Sequence, residues 1–165
     1  MAAVDDILRS YRAPRTVVRA HFAQPRSEPR LFSFLIGALI VIFIAQWPRL
    51  SRVNFEQPDQ PMAGLLLGTG LALAATIPFF YLLATVGPLV ARLLGGRLDW
   101  YGGRLALFWA MLAVSPLMLL QGLVAGFIGA GAQLSLVSGL VFVAYMAIWL
   151  AGLRVTQFET EGGTP

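Results

Sequence analysis

Few side chains in this sequence have the types and spacing that catalysis or metal binding requires. There is no cysteine, and all twelve basic residues are arginines. Without cysteine, disulfides and thiolate metal sites are excluded, and without lysine so are Schiff-base chemistry and a P-loop lysine. The single histidine, His21, has no metal-ligand pattern near it. We therefore expect His21 to be a surface residue, and we expect no metal and no other cofactor.

Asp99 is the one acidic residue in the segment 92–104, where Arg97 and Arg104 flank it. It could serve as a catalytic carboxylate, but we favour a loop ion pair or a cap on the helix that follows. The glycine pairs at 95–96 and 102–103 match no phosphate-binding motif. We predict no catalytic residue and no enzyme activity, and a membrane enzyme that uses Asp99 is the least favoured alternative.

The composition places these residues in a membrane domain. Hydrophobic residues make up 58% of the chain and charged residues 12%, and the mean hydropathy is +0.74. The segment 105–153 has no charged side chain, and it is much longer than the roughly 20 residues that cross a bilayer. It predicts two spans that fold back on each other at the small residues 129–133.

The predicted fold is all-α, a polytopic membrane protein with four transmembrane helices and a short amphipathic N-terminal helix. The predicted spans are about 31–47, 62–86, 105–128 and 134–153. A basic segment, 1–30, precedes this bundle of residues 31–153, and a polar tail, 154–165, follows it and is expected to fray. Proline should shape the spans, with Pro48 ending the first, Pro78 and Pro116 bending the second and third, and Gly87-Pro88 ending or bending the second.

The arginines predict an orientation. Six lie in residues 1–30 and three in 92–104, whereas the alternate connections hold only Arg49 and Arg52. The positive-inside rule then places both termini in the cytoplasm. A first apolar segment too long for a typical signal peptide favours a retained span. The predicted location is the inner membrane of a bacterium, with several crossings.

The amino-terminal segment carries Arg12, Arg15 and Arg19 at helical spacing. These three arginines would share one face and contact anionic lipids, while Val18 and Phe22 would touch acyl chains. A solvated basic linker is the equally weighted alternative. Because the basic residues cluster next to an apolar span, we expect lipid rather than nucleic acid to be their partner.

Small residues recur every fourth position in the predicted spans. Helices in lipid associate through close backbone approach, which small residues permit. The predicted packing residues are Gly64, Gly68, Gly122, Gly126 and Gly139. We expect them to pack helices within one monomer rather than to specify a dimer. Gln121, an amide inside a span, should find a hydrogen-bond partner on another helix.

Several segments resemble the Yip-type membrane domain family, which is named for eukaryotic proteins that interact with Rab-type GTPases. The similar segments are Ser10-Tyr11-Arg12-Ala13-Pro14-Arg15, the glycine-rich loop 95–103 leading into Arg104, Ser115-Pro116, and 149–153 followed by Arg154. The resemblance implies a helical membrane protein without known catalytic residues that acts through protein contacts. Members of that family commonly have five spans, whereas four are predicted here.

The leading hypothesis for function is a non-enzymatic scaffold or accessory subunit that binds other membrane proteins or organises lipid. No glutamate, aspartate, arginine or histidine lies inside a predicted span, which argues against ion-coupled transport. The alternative is a small permease or channel for a neutral solute, with Pro78 and Pro116 opening a polar path.

Overall fold

The structure is a computed structural model that describes residues 2–159. The helices of that part are, in order, α1 (Ala2–Ser10), α2 (Pro14–Phe22), α3 (Glu28–Glu56), α4 (Met62–Ala75), α5 (Ile77–Leu93), α6 (Trp100–Phe127) and α7 (Ala132–Phe158). Four segments are long and apolar enough to cross a membrane, namely α3, α4 together with α5, α6 and α7. The predicted all-α fold with four spans and a short N-terminal helix is confirmed. Residues 160–165 of the predicted tail lie outside the described residues.

Pro48, which was predicted to end the first span, and Pro88, which was predicted to end or bend the second, both lie inside helices. The helix α3 continues through Pro48 to Glu56, and α5 continues through Pro88 to Leu93. Proline removes only one backbone donor, and in membrane helices the surrounding packing often compensates for it. Pro48 lies against Gly126 of α6 and Pro88 against Gly103. The prediction that Pro48 ends the first span is therefore wrong.

The second span is interrupted where Pro78 predicts a bend. The backbone N–H of Thr76 bonds to Leu73 O at 3.0 Å, and the Thr76 hydroxyl donates to the same carbonyl at 2.6 Å. The helix α5 then begins at Ile77 with Pro78 in its first turn, a position where proline costs no hydrogen bond. The proline thus separates α4 from α5 within one span.

The long uncharged segment folds back at the predicted corner. The helix α6 ends at Phe127 and α7 begins at Ala132. Between them Gly129 has φ +92°, a left-handed conformation that favours glycine. Near this corner Gln121 Nε2 donates to Ser138 Oγ at 2.8 Å. The predicted interhelical partner of Gln121 is therefore confirmed.

The helix directions follow from contacts at both ends of the bundle. Arg104 pairs with Glu28 at 2.5 Å, where α6 and α3 begin, and Arg52 donates to Phe127 O at 3.3 Å, near where both end. The helices α3 and α6 are therefore parallel, while α5 and α7 run the other way. The end of the bundle at which α3 and α6 begin and α5 and α7 end is called the arginine-rich end. Its arginines include Arg26, Arg30, Arg92, Arg97, Arg104 and Arg154.

The helix α6 is the centre of the core. Its residues from Leu105 to Ala110 have no exposed surface. On one side Phe108 packs with residues of α3 and α5, and on the other Trp109 packs with residues of α2 and α7. Each of the other long helices of the described chain therefore packs either on α6 or on a helix that itself packs on α6.

The two short helices α1 and α2, here called the amino-terminal hairpin, are docked on the bundle. Trp109 Nε1 donates to the buried Ser10 Oγ at 3.0 Å, and the Tyr11 hydroxyl donates to Ala113 O at 2.7 Å. Val17 and Val18 are buried in the cluster around Trp109. The expectation that the apolar side of α2 touches acyl chains is therefore wrong, because α6 and α7 already cover that side.

The environment of His21 also corrects an expectation. Its side chain is only 12% exposed, and its ring lies 4.2 Å from that of Trp109 and 5.4 Å from that of Phe34. Burial lowers the pKa of His21, the Asp6 carboxylate 3.5 Å away opposes this shift, and Arg30 adds to it. His21 is not a surface residue but a neutral contact between the hairpin and α6.

We expect docking of the hairpin to depend on pH. A lowered pKa in the folded state means that the unfolded state binds more protons as the pH falls below the ordinary value of 6.5, so docking is fully stable above that value and weakens below it. Hydrogen exchange of the α1 and α2 amides, corrected for the intrinsic rate, should accelerate below that pH. The variant His21→Gln fills a similar space without titrating and should lose the effect. An unchanged pH dependence in this variant would assign the effect to another group.

Candidate functional site

A cleft lies at the arginine-rich end, between the connection from α2 to α3 and the beginning of α6. Its volume is about 360 Å³, and it is lined by Arg26, Ser27, Glu28, Leu98, Asp99, Trp100, Tyr101 and Arg104. We call it the mixed-charge cleft, because two arginines and two carboxylates form its polar lining. Because its charged groups are held in ion pairs, such a lining is suited to binding a ligand rather than to catalysis.

Asp99 caps α6 from the floor of the cleft. Its backbone is extended, and its Oδ1 accepts a hydrogen bond from the Tyr101 backbone N–H at 3.1 Å. The predicted helix cap is confirmed. Its Oδ2 lies 3.3 Å from Arg26 Nη2. The ion pair therefore forms with Arg26 rather than with Arg97 or Arg104, the neighbours that the sequence suggested.

Gln157 fixes the backbone of Asp99 in place. Its side chain is fully buried. Its Nε2 donates to Asp99 O at 2.9 Å, and its Oε1 accepts from Asp99 N at 3.0 Å. In addition, the Arg97 N–H donates to Gln157 O at 2.8 Å. Sequence reasoning missed this residue, because a single glutamine in a polar tail gives no signal of a contact so distant in the chain.

The end of α7 is therefore ordered, contrary to expectation. Fraying was predicted from Arg154 onward, yet α7 continues to Phe158. The reason is burial, because Val155 and Thr156 are covered as completely as Gln157. Glu159 extends this contact, since it pairs with Arg19 at 2.6 Å and its carbonyl accepts a hydrogen bond from Arg97.

Tyr101 forms another wall of the cleft. Its hydroxyl accepts hydrogen bonds from Arg30 Nη2 at 2.9 Å and from Ser27 N at 3.1 Å. The Arg26 guanidinium lies over its ring, 5.5 Å from the centroid. Tyr101 is 5% exposed, whereas Trp100 is 42% exposed. Trp100 therefore faces outward, whereas Tyr101 holds α3 to α6.

A glycine pair allows the helices to meet beside the cleft. A Cβ atom at Gly102 would lie 2.6 Å from Thr156 Cβ, and one at Gly103 would overlap Pro88 and lie 2.8 Å from Ala84 O. Both distances are too short for a side chain. The sequence placed these glycines in a loop, but they form the first turn of α6 and bring it against α5 and α7.

The arginines predicted to contact lipid lie outside the cleft. Arg12 is in the turn between α1 and α2, and Arg15 and Arg19 are in α2. The three therefore do not share one helix. All three are exposed, and within residues 2–159 only Arg19 forms an ion pair, with Glu159.

The five predicted packing glycines divide into two groups. A Cβ atom at Gly122 would overlap the backbone of Ala45, and one at Gly126 would overlap Pro48. These two glycines thus lie where α6 contacts α3. By contrast, a Cβ atom at Gly68 or Gly139 would meet no atom within 4 Å apart from the backbone of its own helix. A Cβ atom at Gly64 would lie 3.6 Å from Cγ of Pro61, which belongs to the same segment.

A second cleft of about 670 Å³ lies at the other end of α3 and α6. It is lined by Trp47, Pro48, Ser51, Arg52, Phe55, Glu56, Gly126 and Phe127. The lining is mostly apolar and it is widely open. Within residues 2–159 no three acidic, histidine or cysteine residues are grouped as a metal site would require.

Replacing Gln157 should destabilise the arginine-rich end. Gln157→Ala leaves the N–H and C=O of Asp99 without their partners, which costs about 1–3 kcal/mol for buried polar groups. The free energy of unfolding in a mild detergent measures the loss. Gln60→Ala is the matched control, since Gln60 is exposed and its side chain bonds only to that of Gln57. Equal stability of the two variants would contradict the structural role of Gln157.

No protein-family model, curated protein or solved structure matches this chain.

Proposed function

We propose that this protein is a Yip-type integral membrane protein that acts as a non-enzymatic scaffold or accessory subunit. It binds another membrane protein through its spans and contacts lipid through its arginines. Its location is the inner membrane of a bacterium, with both termini in the cytoplasm. Two observations support this assignment. Its sequence segments resemble the Yip-type family, and the folded chain leaves apolar surfaces exposed.

The exposure of α4 carries the proposal. None of the residues of α4 is buried in the described chain, although the helix is entirely apolar or small. Leu67 and Leu71 are 65% and 63% exposed. Gly64 and Gly68 lie on the same side of α4, and a side chain at Gly68 would meet open space.

A glycine surface that packs on nothing is unusual for a span, because glycine costs helix stability. In lipid, its benefit is the close approach of another helix. Gly64 and Gly68 therefore favour a partner helix over lipid at this surface. The transport alternative has no comparable support, because the two clefts lie at the ends of the spans rather than between them at mid-depth.

The orientation draws on the arginine-rich end. That end holds six arginines and receives the amino-terminal hairpin, whereas Arg49 and Arg52 are the arginines near the other end. The positive-inside rule favours the cytoplasm for the richer end. Arg12 and Arg15 of the amino-terminal hairpin are exposed and would contact anionic lipids.

Photo-crosslinking in the native membrane tests the partner surface. A photoreactive residue at Leu67 or Leu71 should give a discrete adduct with another membrane protein, since both side chains point outward beside Gly64 and Gly68. The matched control is Leu82 of α5, which is 66% exposed, lies outside the proposed surface and has no unpacked glycine beside it. Mass spectrometry of the adduct identifies the partner.

The variant Gly68→Leu sharpens this test. Because open space surrounds Gly68, the variant should keep the melting temperature of the protein but lose the adduct at Leu71. Equal adducts at Leu71 and Leu82, or an adduct that survives Gly68→Leu, would contradict the proposed surface. An adduct that contains only a second copy of this chain would replace the accessory role with a homo-oligomer.

A further inference from the structure

The mixed-charge cleft has the position and size of a site for a lipid headgroup. It opens where α3 and α6 begin, which is one end of the membrane-spanning bundle, and so lies at a leaflet surface whichever way the protein is oriented. Its volume of about 360 Å³ is near the lower limit of pockets that hold small ligands. The exposed indole of Trp100 forms part of its rim, and tryptophan is enriched at the headgroup level.

The charges of the cleft select against a simple anion. Arg26 pairs with Asp99 at 3.3 Å and Arg104 with Glu28 at 2.5 Å, so two positive and two negative groups balance. An anionic headgroup would gain from the arginines but would be repelled by the carboxylates. A headgroup that carries both signs can exchange partners with both ion pairs and leave no charge uncompensated.

One side of the cleft favours a phosphate group. The amino end of α3 faces it, and no side chain caps that helix at Ser27, whereas Asp99 already caps α6. Helix amino ends carry free N–H groups and a partial positive charge that attract phosphate. Arg104 adds a guanidinium whose side chain is 28% exposed and whose Nη2 bonds to Glu28, so a phosphate could take the place of that carboxylate.

The other side favours a primary ammonium group. The Glu28 side chain is 54% exposed. It accepts a hydrogen bond from Arg104, and a ligand can replace Arg104 as the donor. A primary ammonium has three N–H donors for such carboxylates. A quaternary ammonium has none, and it is recognised instead by an aromatic cage. Tyr101 is already covered by Arg26, so such a cage is not open here.

We propose that the mixed-charge cleft binds the headgroup of a phosphoethanolamine lipid. The phosphate meets Arg104 and the amino end of α3, and the ammonium meets the carboxylate of Glu28 that the phosphate displaces from Arg104. The site is independent of the partner surface on α4, and the lipid it holds would bridge α3 and α6 at the membrane surface.

Native mass spectrometry of the delipidated full chain tests the site. The protein is mixed with equal amounts of phosphatidylethanolamine, phosphatidylcholine and phosphatidylglycerol in a mild detergent. One phosphatidylethanolamine should be retained most tightly. Arg104→Gln should weaken that binding about tenfold or more, as expected for the loss of a charge-assisted hydrogen bond. Arg92→Gln, at the same end but outside the cleft lining, should leave it unchanged.

Glu28→Gln gives the discriminating result. Removing one negative charge should shift the preference from phosphatidylethanolamine toward the anionic phosphatidylglycerol, while Glu56→Gln at the opposite end should not. Melting temperatures show that each variant is folded, and the preference among lipids is read within one variant, so a small loss of stability does not affect it.

Three results would overturn the proposal. They are equal retention of phosphatidylcholine and phosphatidylethanolamine by the native chain, equal binding by the Arg104→Gln and Arg92→Gln variants, and an unchanged preference in Glu28→Gln. A separate arm titrates soluble phosphoethanolamine and inorganic phosphate in the absence of lipid. Saturation by either at the concentration that lipid requires would assign the cleft to a soluble ligand instead. Partner adducts at α4 would be unaffected by any of these outcomes, so the two proposals fail separately.

Discussion

The backbone contact between α3 and α6 is the interaction on which the rest of the bundle depends. Gly122 and Gly126 lack the side chains that would overlap Ala45 and Pro48. Lipid provides no hydrophobic force between helices, so dispersion contacts at this short distance supply much of the attraction. Because α6 is held against α3, its other sides become the surfaces on which α5, α7 and the amino-terminal hairpin pack.

The arginine-rich end adds a set of hydrogen bonds and ion pairs to the mainly apolar packing of the spans. Asp99 caps α6, Gln157 holds Asp99 from α7, and Tyr101 joins α6 to Ser27 and Arg30 at the start of α3. Apart from the cap, these bonds join segments far apart in the chain. Apolar packing alone would allow the helices to rotate or slide against each other, whereas these bonds set their register. The same groups also shape the mixed-charge cleft, so structure and proposed binding share one set of residues.

Local features of the sequence were sufficient for much of this fold. The length and apolarity of the spans, the corner at 129–133, the interruption near Pro78 and the cap at Asp99 each depend on residues close in the chain. Gln121 was also predictable, because an amide in lipid needs a partner. The prolines were harder, since whether Pro48 ends a helix depends on the neighbour that compensates for its missing donor.

The features that sequence analysis missed depend on distant contacts. His21 gave the pattern of a surface residue, but Trp109 and Phe34 cover it. Gln157 gave the pattern of a frayed tail, but Asp99 bonds to it. Spacing places Gly122 and Gly139 alike on small-residue faces, yet only Gly122 meets another helix. A periodic pattern identifies a face of a helix without identifying what lies opposite.

The unfolding free energies of Gly122→Ala and Gly139→Ala in one detergent test the central contact most directly. If α3 and α6 meet through their backbones, the added methyl group at Gly122 should destabilise the protein by about 1–3 kcal/mol, the usual cost of overpacking. The same change at Gly139 should be neutral or stabilising by up to about 1 kcal/mol, because alanine favours a helix. Equal effects of the two substitutions would contradict the account.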